Sequence, residues 1–102
     1  GGIDMKEINY YVIGGQYAAY CHGGTKTLLG AKRLANKCAE HWDNWQGWHI
    51  PAIYRAEDTR EVSNFYGKMR APREDALPVA WARYNDGRPI WECVQDGGMH
   101  ND

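Results

Sequence analysis

Asn85-Asp86-Gly87-Arg88 stands between two strand-like runs, Val79 to Tyr84 and Ile90 to Val94. Asp-Gly at the centre of a two-residue loop accepts the positive backbone angles that match the twist of the flanking strands, so this stretch predicts a β-hairpin. With Asp86-Gly87 as the turn, counting outward sets Ala82 opposite Trp91 and Ala80 opposite Cys93. Those four residues and Tyr84 make one apolar face, and a sheet with an apolar face must bury it against another layer.

The N-terminal part offers a second hairpin and the covering layer. In Glu7 to Ile13, Ile8, Tyr10 and Val12 alternate with Tyr11 and Ile13, the period of a strand. Gly14-Gly15 predicts a tight turn, Tyr17 to Cys21 the returning strand, and Gly23-Gly24 its end. A helix is predicted over Lys26 to His41, with Thr25 as its cap. Leu28, Ala31, Ala35, Cys38 and Trp42 recur at spacings of three and four, with Leu34 alongside, and this stripe should face the sheet. Gly30 costs the helix about 1 kcal/mol relative to Ala and would let it sit close to the sheet. Lys26, Arg33 and Lys37 fall on the opposite side, with Lys32 near them.

His41 to His49 has neither period and reads as a loop. Ile50 to Arg55 reads as a short strand, with Pro51 placing it at an edge or a strand start. Asp58 with Glu61 three residues later resembles a capping box, and Val62, Phe65, Tyr66 and Met69 follow at i, i+3, i+4 and i+7. A short second helix over residues 58–69 is therefore expected, followed by a loop from Arg70 to Pro78. The predicted order is β-β-α-β-(α)-β-β. It corresponds to an α+β fold, an antiparallel sheet of about four to five strands (two hairpins) with one main helix packed on it. Gly1 to Asp4 read as a cloning scar ahead of Met5, residues 5–95 as a single domain, and 96–102 as a frayed tail.

Composition narrows the classes. The chain has 102 residues, 12 Lys+Arg against 13 Asp+Glu, and 43% hydrophobic residues, so it is neither a disordered tail nor a strongly basic or acidic binder. No apolar run is long enough to span a membrane, no export signal is visible, and three cysteines are an odd count for a disulfide scaffold. Cys21, Cys38 and Cys93 are read as reduced thiols in a cytoplasmic protein, one internal pair remaining an alternative. Cys38-x-x-His41 and Cys21-His22 hold zinc-ligand types, but neighbouring strand residues point apart and the spacing of structural zinc motifs is missing. No metal and no cofactor is expected. No signature of nucleophilic or metal-dependent catalysis is present, so no enzyme is expected either.

The densest aromatic segment is His41-Trp42-Asp43-Asn44-Trp45-Gln46-Gly47-Trp48-His49, in a chain of five Trp and seven Tyr but one Phe. Trp42 would close the helix stripe. Trp45, Trp48 and His49 are the first candidate partner-binding residues, because large amphipathic rings on a loop make anchors. A hydrophobic lid over the sheet is the competing reading. The basic helix face of Lys26, Arg33 and Lys37 is the second candidate surface.

In style the whole chain resembles small accessory proteins of phages and mobile elements, anti-CRISPR and other anti-defence proteins among them: one α+β domain, rich in Trp and Tyr, without a catalytic motif. No defining motif matches, so no family residue carries over. The resemblance implies a stoichiometric binder. The leading expectation is a non-enzymatic protein-binding module, a phage-type inhibitor of a bacterial host protein. The alternatives are a small-ligand protein that sequesters a nucleotide, stacking it on aromatics with Arg33, Lys37 or Arg55 on its phosphates, and a nucleic-acid-binding accessory protein.

Overall fold

Five strands form the central antiparallel sheet: β1 (Tyr10–Gly14), β2 (Cys21–Thr25), β5 (Pro51–Arg55), β8 (Ala80–Asn85) and β9 (Arg88–Cys93), in the order β2-β1-β5-β8-β9. The α-helix among the described residues, α1 (Leu28–Cys38), follows β2. Two further antiparallel pairs lie outside the sheet: β3 (Glu40–His41) with β4 (Trp48–His49), and β6 (Thr59–Asn64) with β7 (Gly67–Pro72). The computed structural model describes residues 7–15, 20–41, 48–64, 67–85 and 88–93. The expected scar at Gly1 to Asp4, the tail at 96–102, the Asp86-Gly87 turn and Trp45 lie outside the described residues. The fold is α+β, as the sequence predicts.

The core forms where strand alternation meets helix periodicity. Val12 pairs with Ile53 and Ile53 with Ala80, so the three line up across β1, β5 and β8. Ala31 and Ala35, one helical turn apart on α1, cover them, and all five side chains are fully buried. Alanine in the helix lets its backbone come close to the sheet. Tyr10, Leu28, Leu34, Ile50, Trp91 and Cys93 pack around this centre. The C-terminal hairpin has the register read from the sequence, Ala80 with Cys93 and Ala82 with Trp91.

Four expectations need correction. First, the helix is shorter than Lys26 to His41. Thr25 is the last residue of β2, paired with Tyr10, and Thr27 is the cap, its Oγ1 accepting from the Gly30 amide at 3.0 Å. A Cβ on Gly30 would lie 3.1 Å from that Oγ1, so this glycine makes room for the cap rather than for the sheet. At the other end the helix stops at Cys38 and Ala39 is extended, while Trp42 is outside the described residues.

Second, the first hairpin exists, but Gly14-Gly15 is not a two-residue turn. The returning strand starts at Cys21, later than Tyr17, and a register shift pairs Val12 with Gly23 but Ile13 with Cys21. His22 is the extra residue of this bulge, and its Nε2 donates to the Gly14 carbonyl at 2.9 Å. Gly23-Gly24 lies inside the strand. A Cβ on Gly24 would stand 2.6 Å from Ile8 Cγ2 and 2.9 Å from Tyr11 Cε1, so the glycine is where those side chains cross β2.

Third, the ends of the His41–His49 loop pair, Glu40 with His49 and His41 with Trp48. Fourth, no helix runs through the described part of residues 58–69, Phe65 and Tyr66 being outside it. A 3-10 turn (Ala56–Asp58) leads into the β6–β7 hairpin, in which Val62 pairs with Met69. The seven-residue interval that suggests two helical turns is a cross-strand pair, and Gly67, at φ 103°, supplies the positive angle of the turn.

Candidate functional site

Successive residues of β1 point to opposite faces of the sheet. Tyr11, opposite Gly24 and Tyr54, therefore lies away from α1. β7 crosses this side, and the Arg70 guanidinium stands 5.1 Å from the centre of the Tyr11 ring. Arg70 donates from Nε to Thr59 Oγ1 at 3.1 Å and from Nη2 to the Thr59 carbonyl at 3.0 Å. Thr59 is buried, and its hydroxyl donates to the Ala56 carbonyl at 2.8 Å. These hydrogen bonds join the hairpin to the 3-10 turn, the Arg70–Tyr11 contact joins it to the sheet, and the turn positions the segment after β7.

That segment, residues 73–79, carries the most exposed of the large apolar side chains described. Arg73 donates from its amide to the Asp58 carbonyl at 2.8 Å and from Nε to the Glu57 carbonyl at 3.2 Å. The Ala76 amide donates to the Arg73 carbonyl at 2.9 Å, and the Val79 amide to the Ile53 carbonyl at 2.8 Å. Pro78 fixes its own φ and holds Leu77 extended. Between these ties Leu77 projects with 76% of its surface exposed, two residues before the buried Val79. An apolar side chain this open contributes little to the core.

Three open grooves surround the same end of the sheet. One of about 500 Å³ is lined by Asp58, Arg60, Arg73, Glu74, Asp75 and Ala76. A neighbour of about 300 Å³ shares Asp58, Asp75 and Ala76 with it and adds Arg55 and the Leu77–Val79 stretch. A third, of about 430 Å³, is lined by Asn9, Tyr10, Arg55, Ala56 and Glu57. The result is an apolar projection rimmed by charges of both signs. No His, Cys or Ser lines any of the three.

Of the residues predicted from sequence, Arg55 lines two of these grooves, and none of Lys26, Arg33, Lys37 and His49 lines any of the three. Trp48 sits in β4 by its backbone pairing, and His49 beside it is half-buried, while Trp45 is outside the described residues. Lys26, Arg33 and Lys37 are exposed, with Lys32 half-buried, but Lys26 precedes the Thr27 cap. Cys21, Cys38 and Cys93 are free thiols, and among the described residues no three His, Cys, Asp or Glu side chains are grouped to hold a metal. Burial raises the Tyr54 phenol above its ordinary pKa. Among the described residues, no helix is long and apolar enough to cross a membrane. Sequence reasoning missed Leu77. The available signal was an Ala-Leu-Pro run inside a charged loop, which no periodicity marks.

No family model, no curated protein and no solved structure matches the chain.

Proposed function

We propose that the chain is a non-enzymatic protein-binding module that engages its partner through Leu77 and the charged rim around it. The observation that supports this is the 76% exposure of Leu77 on a loop tied to Asp58 and Ile53 by backbone hydrogen bonds. An interface has an apolar centre and a polar rim, and a side chain seated at that centre contributes most where its neighbours exclude water. Arg55, Arg60, Arg73, Asp58 and Asp75 would supply that enclosure. Such a module works by occupancy, which is how an inhibitor of the anti-defence type would act on a bacterial host protein.

The test compares the wild-type protein with Leu77→Asp as bait in a bacterial lysate, followed by titration of whatever protein is retained at one-to-one stoichiometry. A retained partner should bind Leu77→Asp about 30-fold more weakly, the equivalent of about 2 kcal/mol for a hot-spot residue. Equal affinity for both baits would sink the assignment of this loop.

One observation favours a second reading, nucleotide sequestration. The third groove places the Tyr10 ring and Arg55, cross-strand partners, beside Asn9. It is the weaker reading: Tyr10 is packed into the core, and Glu57 in the same groove opposes a phosphate. A nucleotide held there would raise the melting temperature on addition of mononucleotides.

A further inference from the structure

The outer side of α1 is a second surface, sharing no residue with the grooves around Leu77, and its charged residues are all basic. The helix sequence LLGAKRLANKC contains no acidic residue. Residues 26–38 hold Lys26, Lys32, Arg33 and Lys37, a local charge of +4 in a chain whose net charge is −1. Leu29, Arg33, Asn36 and Lys37 are exposed, and Arg33 lies four residues from Leu29 and three and four from Asn36 and Lys37, so they share one side of the helix. Lys26 extends the basic surface beyond the helix start, where the Asn9 side-chain amide donates to its carbonyl at 3.0 Å.

The occupant follows from what this surface has and lacks. A protein interface is depleted in Lys and needs an apolar centre, whereas Leu29, 43% exposed, is the one large apolar side chain here. Insertion into a lipid surface would need the apolar face of the helix, which lies buried on the sheet through Ala31 and Ala35. Single-stranded nucleic acid is held by stacking on aromatic rings, and α1 has none. Duplex DNA asks for cations along the phosphates and a helix that fits the major groove, about 12 Å wide. The deep, narrow major groove of duplex RNA excludes such a helix.

We propose that α1 docks in the major groove of duplex DNA. Lys26, Lys32 and Lys37 lie against phosphates. Arg33 and Asn36 face the base edges, where guanidinium and amide side chains pair with guanine and adenine. The eleven residues of α1 span about 16 Å, the axial length of about five base pairs.

The experiment is fluorescence anisotropy with a labelled mixed-sequence duplex, between 50 and 200 mM salt. Three phosphate contacts predict a slope of log K on log salt of about −2.7, a loss of about 40-fold across that range. Lys32→Ala with Lys37→Ala should reduce the slope by about 1.8 while leaving the circular dichroism spectrum and melting unchanged. Leu77→Asp should bind DNA as the wild type does, which separates this inference from the protein-binding reading. Absence of duplex binding at 50 mM salt would overturn it, as would an unchanged slope in the lysine variant. So would equal or tighter binding of single-stranded DNA or duplex RNA of the same sequence, or equal competition by polyglutamate at matched charge.

Discussion

Arg70 and Tyr11, fifty-nine positions apart in the chain, form the junction between the β6–β7 hairpin and the central sheet, with the guanidinium 5.1 Å from the ring centre. The same guanidinium donates to both oxygens of the buried Thr59. Arg70→Ala would therefore remove a cation–π contact and leave a Thr59 carbonyl without its donor. We expect a loss of about 1–3 kcal/mol in urea denaturation. Arg70→Lys should recover only part of it, because an ammonium lacks the planar fork that reaches two acceptors at once. A wild-type midpoint for Arg70→Ala would show that other contacts hold the hairpin.

Gly24→Ala tests the crossing of Tyr11 over β2. The new Cβ would meet Ile8 Cγ2 at 2.6 Å and Tyr11 Cε1 at 2.9 Å. Overpacking of this kind costs about 1–3 kcal/mol. Combining it with Tyr11→Ala should cost less than the sum of the two single changes, since one of the clashing rings is then gone. Additive costs in chemical denaturation would refute the proximity.

Ala35→Leu tests the close approach of α1 to the sheet. Ala35 is fully buried in the cluster that holds Val12 and Ile53. A larger side chain must push the helix outward or distort its own rotamer, at a cost of about 1–3 kcal/mol, although leucine is a good helix former. Unchanged or increased stability would show slack in this packing.

The parts of the fold that were legible in the sequence are those where a local signal and the tertiary arrangement agree. Counting outward from Asp86-Gly87 gives the observed pairing of Ala80 with Cys93 and of Ala82 with Trp91, and the helix stripe identifies Ala31 and Ala35. Residues 58–69 misled because Val62 and Met69 satisfy both a helical interval and a hairpin register. Ser63, Asn64 and Gly67, poor in a helix, belong to the turn region of that hairpin. The pairing of His41 with Trp48 joins residues whose intervening segment has no alternation. Leu77 was invisible for a different reason: exposure is decided by where Asp58 and Ile53 tie the loop, and neither tie leaves a pattern in the residues themselves.

Tyr54 gives a pH signature. Burial disfavours its phenolate, so the folded-state pKa lies above the ordinary tyrosine value. The folded protein then holds this proton at a pH where the unfolded chain has released it. Stability should be intact below about pH 10 and decline as pH rises through the window between the ordinary and the raised value. Tyr54→Phe should remove that part of the alkaline decline. In a tyrosinate absorbance titration the wild type should show one late-ionising ring that the variant lacks, and a variant that instead loses a ring of ordinary pKa would contradict the burial.

The bond from the Val79 amide to the Ile53 carbonyl ties the base of the Leu77 loop to the centre of the core. Its exchange with solvent deuterons should follow the opening of the whole domain rather than the fraying of a surface segment. The loop then has no separate melting of its own. An incoming molecule would meet Leu77 already in place, and association would immobilise that side chain but not its backbone, keeping the ordering penalty near the 0.5–1.5 kcal/mol of one side chain.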